Sequence, residues 1–276
     1  MSARKERILI ICKTYPSPSA RYSETSCVAG ISEAGKLLRL YPVPFRLIEN
    51  KRQFKKWQWI RAVIKRAADD RRPESHRIYV DTIETGPFIP SSDDWTHRRP
   101  WLHKLPLFGD FSALEALRAS SGWPTLALLR PARLVGLDIT PVANSDWTDE
   151  EKAKILMLQQ QGNLFEETER DLRLLRKLPF DFHYRYVCIS EEGPKTYRHK
   201  IVDWEIGALY WNVHRIHGTN WETPFRAKIE GQLPSQDLVF LMGTIHRFPD
   251  QWLIVSLIYP PKRAKDAPSQ GLLFPE

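Results

Sequence analysis

The sequence predicts an α+β, β-rich chain. An OB-like small β-barrel is expected over residues 1–144, a helical linker at 145–178, a second α+β unit at 179–263 and a flexible tail at 264–276. Three observations carry this reading. Five or six short runs with strand-like alternation, one helix among them, fill the first part, and a small closed barrel needs that many strands. A capped helical stretch then interrupts the alternation. Alternation resumes at FDFHYRYVCIS and closes at Pro260-Pro261.

Taken in order, residues 7–12 form a buried strand, and 26–31 with 36–41 make a hairpin turning on Glu33-Ala34-Gly35, where the glycine supplies the tight turn. TYPSPSARYS, residues 14–23, is a Pro/Ser loop. Pro42 and Pro44 cannot donate to a ladder, so the second hairpin strand is predicted to end there. That leaves Arg39, Tyr41 and Arg46 near the barrel rim, within reach of a ligand. KKWQWIRAVIKR, residues 55–66, alternates strictly: Ile60, Ala62 and Ile64 point one way, and Trp57, Trp59, Arg61, Val63 and Lys65 the other. Residues 76–83 read as a further strand, 111–119 as a short helix, and 125–139 as one or two more barrel strands. Beyond them, Ser145 and the acids of TDEE cap a helix, and a second helical run at 166–178 stops at Pro179. The second unit is predicted as a hairpin across Glu192-Gly193-Pro194, a helix at 203–215, and strands at 238–243 and 252–259.

Composition narrows the function classes. Hydrophobic residues at 42% and charged residues at 27% suit a soluble globular chain. No apolar run reaches the ~18–20 residues of a membrane span, and MSARKERILIICK is too short in apolar residues for a signal core. Cys12, Cys27 and Cys188 are scattered and never form a CxxC pair, which argues against a zinc site or disulfide framework and fits a cytoplasmic setting with buried thiols. The net charge is +8, but residues 1–80 hold 18 Lys/Arg against 7 Asp/Glu, so all the excess basicity is N-terminal. A localised positive field is the footprint of a polyanion binder, and a merely solvated basic face is the alternative.

The strand KKWQWIRAVIKR gives that field a surface. Two tryptophans interleaved with Arg61 and Lys65 could stack bases and follow phosphates, at about 1–3 kcal/mol per stacked base. Equally, Trp57 and Trp59 could be buried against the second unit. The flanking Arg46, Lys51, Arg52, Lys55 and Lys56, with Arg39 and Tyr41, complete the candidate nucleic-acid-binding set. DNA or RNA is the expected partner, with binding that weakens steeply in salt.

The stretch ILIICK, Cys27-Val28-Ala29-Gly30, a Gly turn, then Leu38-Arg39-Leu40-Tyr41-Pro42-Val43 resembles the start of the dual-OB-containing domain proteins of prokaryotic conflict and defence systems. Leu38 stands where an aromatic residue is common in that group. IVDWEIGALYW, FLMGT and LIYPPK resemble bacterial proteins of unassigned activity. The resemblance implies a nucleic-acid-associated subunit working with a separate protein effector, and it offers no catalytic residues to carry over.

Catalytic signatures are sparse. GxxxxGK[ST], GxGxxG and GxSxG are absent, and no cofactor is expected. Asp203 and Glu205 form the best acidic pair. On a strand they would share a face and could hold Mg²⁺ for phosphodiester hydrolysis, although Gly207 stands where such nucleases place a lysine. On a helix they would instead stabilise its N-terminal end. A protein-interaction adaptor is a further alternative. Finally, QGNLF (161–165) and QGLLF (270–274) both fit Q-x-x-L-F, which resembles the pentapeptide that docks on bacterial sliding clamps. Gln270, Leu273 and Phe274 in the polar tail are the better placed copy.

Overall fold

A computed structural model describes residues 2–18, 24–45, 48, 50–144, 146–150, 153 and 176–263. Five strands form the N-terminal body: β1 (Arg4–Lys13), β2 (Glu24–Ser32), β3 (Leu37–Val43), β4 (Gln58–Arg66) and β5 (Ser75–Phe88). Strand β1 pairs antiparallel with both β2 and β4, and β3 pairs parallel with β5 through Arg39↔Ser75 and Leu40↔His76. The ring therefore closes in the order β1–β2–β3–β5–β4–β1, the topology of an OB barrel. Period-two alternation fills it: Ile8, Ile10, Val28, Leu40, Ile60, Ala62 and Ile64 are buried inside. Gly35, at φ 77°, makes the β2–β3 turn in a conformation that disfavours side chains.

The barrel is complete at Phe88, so the strands expected at 125–139 do not belong to it. Residues Leu126–Leu129 (β6) and Arg133–Pro141 (β7) enter a second sheet with β8 (Phe180–Ser190), β9 (Gly193–Ile201), β10 (Val239–Thr244) and β11 (Trp252–Ile258). Its order is β6–β10–β11–β9–β8–β7, with the two-residue strand Leu107–Phe108 beside β6. The reason lies in LALL and VFLMGT. An unbroken apolar run needs cover on both faces, whereas a barrel strand with one wet face alternates. Leu126, Leu128, Val239 and Leu241 face the barrel, while Ala127, Leu129, Phe240 and Met242 face away.

On that far side lie α1 (Phe111–Ser121), α2 (Trp204–His217) and the short helix Glu222–Arg226, burying Phe111, Leu114, Ile206, Tyr210 and Phe225 against the sheet. The result is three layers: barrel, sheet, helices. Asp110 caps α1 by accepting from the Ser112 and Ala113 amides, and Gly122 ends it in a left-handed conformation. The predicted linker at 145–178 and tail at 264–276 fall mostly outside the described residues. Cys12 and Cys188 are buried free thiols and Cys27 is half-buried.

Candidate nucleic-acid interface

The outward residues in the second half of β1 and the middle of β2 are apolar. Leu9, Ile11, Ala29 and Ile31 pack on Leu126, Leu128, Val239, Leu241 and Val255 of the second sheet. Trp57 and Trp59 join this seam, 4% and 6% exposed. Trp59 points outward as alternation requires, whereas Trp57 precedes β4 in a turn at φ 67°. The open face offering two stacking rings is not formed, because Trp95 and Trp101 and the second sheet cover it. Trp59 is further closed by Trp101, 4.8 Å away and edge-on, and by the Arg7 guanidinium 4.6 Å above its ring. Arg39 is likewise not at a rim. It is 2% exposed and donates from Nη1 to the Thr244 carbonyl (3.1 Å) and from Nη2 to that of Thr125 (2.7 Å), tying β3 to the second unit.

The face that stays wet is the outer side of the β4–β5 ribbon, flanked by β1. Register places Arg7 opposite Arg61, Lys5 opposite Val63 with Tyr79 on the other side, and Lys65 opposite Arg77. Arg61, Lys65 and Arg77 are exposed, and Tyr79 is 40% exposed among them. Lys5 pairs with Glu84 (2.8 Å), Arg7 with Glu33 (2.6 Å) and Arg77 loosely with Asp69 (3.9 Å). Among the described residues no carboxylate lies within 4.0 Å of Arg61 or Lys65. Like charges directly across a ladder cost stability. The turn Asn50–Arg52, carrying Lys51 and Arg52, packs beside the same ribbon, where Thr85 Oγ1 donates to the Lys51 carbonyl (3.5 Å). The nine residues of β4 extend about 30 Å.

At its Gln58/Phe88 end the ribbon reaches a cavity of about 370 Å³ in the seam between barrel and second unit. Phe88, Lys55 and Glu205 stand at its mouth, and Trp57, Trp95, Arg98, Lys56, Asp203 and Leu257 are its buried walls. Lys56 is not a free cation. It pairs with Glu205 (2.9 Å) and Asp203 (3.6 Å) and donates to the Leu257 carbonyl (2.8 Å). Burial alone would lower its ammonium, but the two carboxylates outweigh that and hold it above its ordinary value.

Asp203 shows the helix-end role. Its Oδ1 accepts from the Glu205 amide (2.9 Å) at the start of α2, and its Oδ2 accepts from Ser256 Oγ (2.9 Å) and the Leu257 amide (2.7 Å). At 2% exposure both oxygens are committed, which leaves no shared metal-binding face with Glu205. Gly207 stands where a lysine would be wanted because a Cβ there would overlap the Tyr15 ring.

Of the sequence-chosen residues, the structure gathers Arg61 and Lys65 on the ribbon, Lys51 and Arg52 beside it, and Lys55, Lys56 and Trp57 at the cavity. Tyr41 is 41% exposed, with its hydroxyl 3.4 Å from Thr25 Oγ1, away from both. Arg46, both QxxLF segments, and with them Gln270, Leu273 and Phe274, lie outside the described residues. Sequence reasoning passed over Arg77 and Tyr79, although alternation within 76–83 already set them on one face. It also passed over Lys13, Arg98, Trp95 and Trp204 at the cavity.

Comparison with known proteins adds little chemistry. Residues 110–275 match a family described as a domain of unknown function (DUF8757), and residues 4–104 match another, DUF8758. No curated protein matches the chain. A solved chain from a replication protein A heterotrimer bound to ssDNA aligns at 9% identity and a TM-score of 0.27, over 94% of this chain and 66% of that one. The chain thus spans just under two thirds of that neighbour's length, and the OB assignment rests on the strand pairing above. No helix among the described residues is long and apolar enough to cross a membrane.

Proposed function

The chain belongs to the DUF8757 family, and we propose that it is a non-enzymatic nucleic-acid-binding subunit whose barrel engages the phosphate backbone along the outer β4–β5 ribbon. One observation carries the reading: Arg7 faces Arg61 and Lys65 faces Arg77 across adjacent strands, and among the described residues neither Arg61 nor Lys65 makes an ion pair within 4.0 Å, Glu84 opposite Arg61 being bonded to Lys5 instead. Such rows repel internally, and a polyanion relieves them. Tyr79 supplies a ring within the row on which a base can stack, a weaker platform than two tryptophans would have been. A ribbon about 30 Å long suits the lower end of the ~4–16 nucleotides covered per OB unit.

The resemblance of residues 7–46 to dual-OB proteins of prokaryotic conflict systems supports a cytoplasmic setting in antiviral defence, beside a separate effector protein. The test of the binding step is fluorescence anisotropy with a labelled oligonucleotide, as single strand and as duplex, over a salt series. Saturable binding that weakens with salt is expected. Absence of binding at about 50 mM salt, where phosphate contacts are strongest, would refute it.

A further inference from the structure

We propose that the seam cavity is a nucleotide-phosphate site, in which a phosphomonoester meets Lys13 and Arg98 while the base lies against the aromatic mouth. The proposal does not rest on the ribbon reading. Arg98 is 6% exposed, yet its Nε and Nη2 share one neutral acceptor, the Ile89 carbonyl (2.9 and 2.8 Å). Its guanidinium is caged by Trp95 (4.7 Å), Trp57 (4.8 Å) and Phe88 (5.7 Å). Lys13 donates to the Phe54 carbonyl (3.2 Å) and sits over the rings of Phe45 (4.0 Å) and Trp204 (5.2 Å). Neither has a carboxylate within 4.0 Å among the described residues, because Lys56 takes both Asp203 and Glu205. Two withdrawn cations with no direct ion pair, and only the more distant pull of Glu205 on both and of Asp203 on Lys13, are costly to keep. A phosphomonoester, carrying about −1.5 to −2 at neutral pH, matches that deficit.

The rest of the cavity suits the remainder of a nucleotide. Trp204, Tyr259 and the 47%-exposed Phe88 line it, and its volume falls within the ~300–1,000 Å³ of small-molecule sites. Backbone strain is concentrated on the same walls. Asp93, Asp94 and Trp95 form a left-handed turn (φ 54°, 53° and 63°), and Trp57 has φ 67°. Each such residue costs about 1–2 kcal/mol, and these hold the rings that grip Arg98. The depressed ammonium of Lys13, lowered by burial to about 8 against the pull of Glu205 and Asp203, agrees with a cation awaiting an anion.

The nucleotide could arrive free or as the terminus of a strand, so the test has both arms. Quenching of tryptophan fluorescence by adenosine 5′-monophosphate, adenosine and inorganic phosphate is measured, with anisotropy of one oligonucleotide carrying a 5′-phosphate or a 5′-hydroxyl. Saturable binding of the monophosphate at least tenfold tighter than adenosine, lost tenfold or more in Lys13→Met, is expected for a free nucleotide. A 5′-phosphate preference abolished by Lys13→Met is expected for a strand end. Lys55→Gln at the exposed mouth gives a milder loss and guards against misfolding at Lys13. Absence of both effects, or equal binding by Lys13→Met, overturns the proposal. Arg61→Ala with Lys65→Ala should leave monophosphate binding unchanged, so failure at the cavity and failure at the ribbon are separable.

Discussion

Replacing Arg61 and Lys65 together by alanine removes two exposed cations that make no ion pair within 4.0 Å among the described residues, Glu84 in register with Arg61 being bonded to Lys5. Nothing buried is left without a partner, so stability should change by no more than about 0.5 kcal/mol. Relief from Arg7 and Arg77 directly opposite is offset in part by the lost attraction between Arg61 and Glu84 on its other side. Binding should respond in a defined way. Each phosphate neutralised contributes about 0.7 to the slope of log affinity against log salt for a single strand, so the variant slope should be shallower by about 1.4. Between about 50 and 200 mM salt, wild type should then lose about 7-fold more affinity than the variant. With duplex the slope difference should be nearer 1.8, since each phosphate counts for about 0.9.

Anisotropy titrations at four or more salt concentrations measure this directly. Lys195→Ala, an exposed cation on β9 of the second unit, serves as the control and should leave the slope unaltered. Identical slopes for wild type and the double variant would refute the ribbon as the phosphate path. So would an equal slope change in the Lys195 control, which would show that net charge alone matters.

Three further outcomes test the layers that position the ribbon. Trp59→Ala should cost about 3–5 kcal/mol in urea unfolding, the range for emptying a large aromatic from a core; a loss under 1 kcal/mol would mean that the ring is not in the seam. Glu74 accepts from the Thr125 amide (2.9 Å), Thr125 Oγ1 (2.6 Å) and the Leu126 amide (3.3 Å), so Glu74→Ala should cost about 3 kcal/mol through stranded buried donors. An unshifted urea midpoint would contradict that network. His199, its Nδ1 2.9 Å from the Tyr186 hydroxyl, is lowered by burial to about 4. The unfolded chain binds the proton first, so this contribution is complete above about 6.5 and is lost as pH falls toward 4, by at most about 3 kcal/mol. Unfolding midpoints of His199→Gln should accordingly fall less than wild type between pH 7 and 4.5; parallel curves would assign the acid sensitivity elsewhere.

What the sequence revealed and what it hid follow from the range of the interactions involved. The hairpin on Gly35, the alternation of 55–66 and the Asp203 end of α2 are local, and each was legible because period or cap chemistry is written within a dozen residues. Alternation also told which way Trp59 points, whereas Trp57 precedes the strand in a turn. Alternation could not tell what either ring meets, since an outward ring is compatible with water or with another layer. That layer comes from Leu126, Leu128, Val239 and Leu241, far along the chain. Arg39 was misread for the same reason: its acceptors are the carbonyls of Thr125 and Thr244. The unbroken run LALL carried a usable signal against barrel membership. The Arg98 cage carried none, because its left-handed turn is built on Asp-Asp-Trp without a glycine.

The same burial that removes two stacking rings also decides where a nucleic acid can lie. Leu9, Ile11, Ala29 and Ile31 make the β1–β2 side of the barrel apolar, and only a second layer satisfies it, so that side is an internal seam rather than a binding groove. The cations then have to act from the β4–β5 side, which meets the seam where Arg7 lies over Trp59 and at the Gln58/Phe88 end. A ligand reaching that junction would touch both units at once, since Lys13, Trp57 and Phe88 come from the barrel and Trp204, Glu205 and Tyr259 from the second unit. The Tyr15 amide bonded to the Val202 carbonyl (2.7 Å) and Lys56 bonded to Leu257 already clasp the units there. Occupancy would add to that clasp by mass action, about 2.7 kcal/mol at a hundredfold excess over Kd. A ligand held there would therefore link its own binding to the union of barrel with sheet.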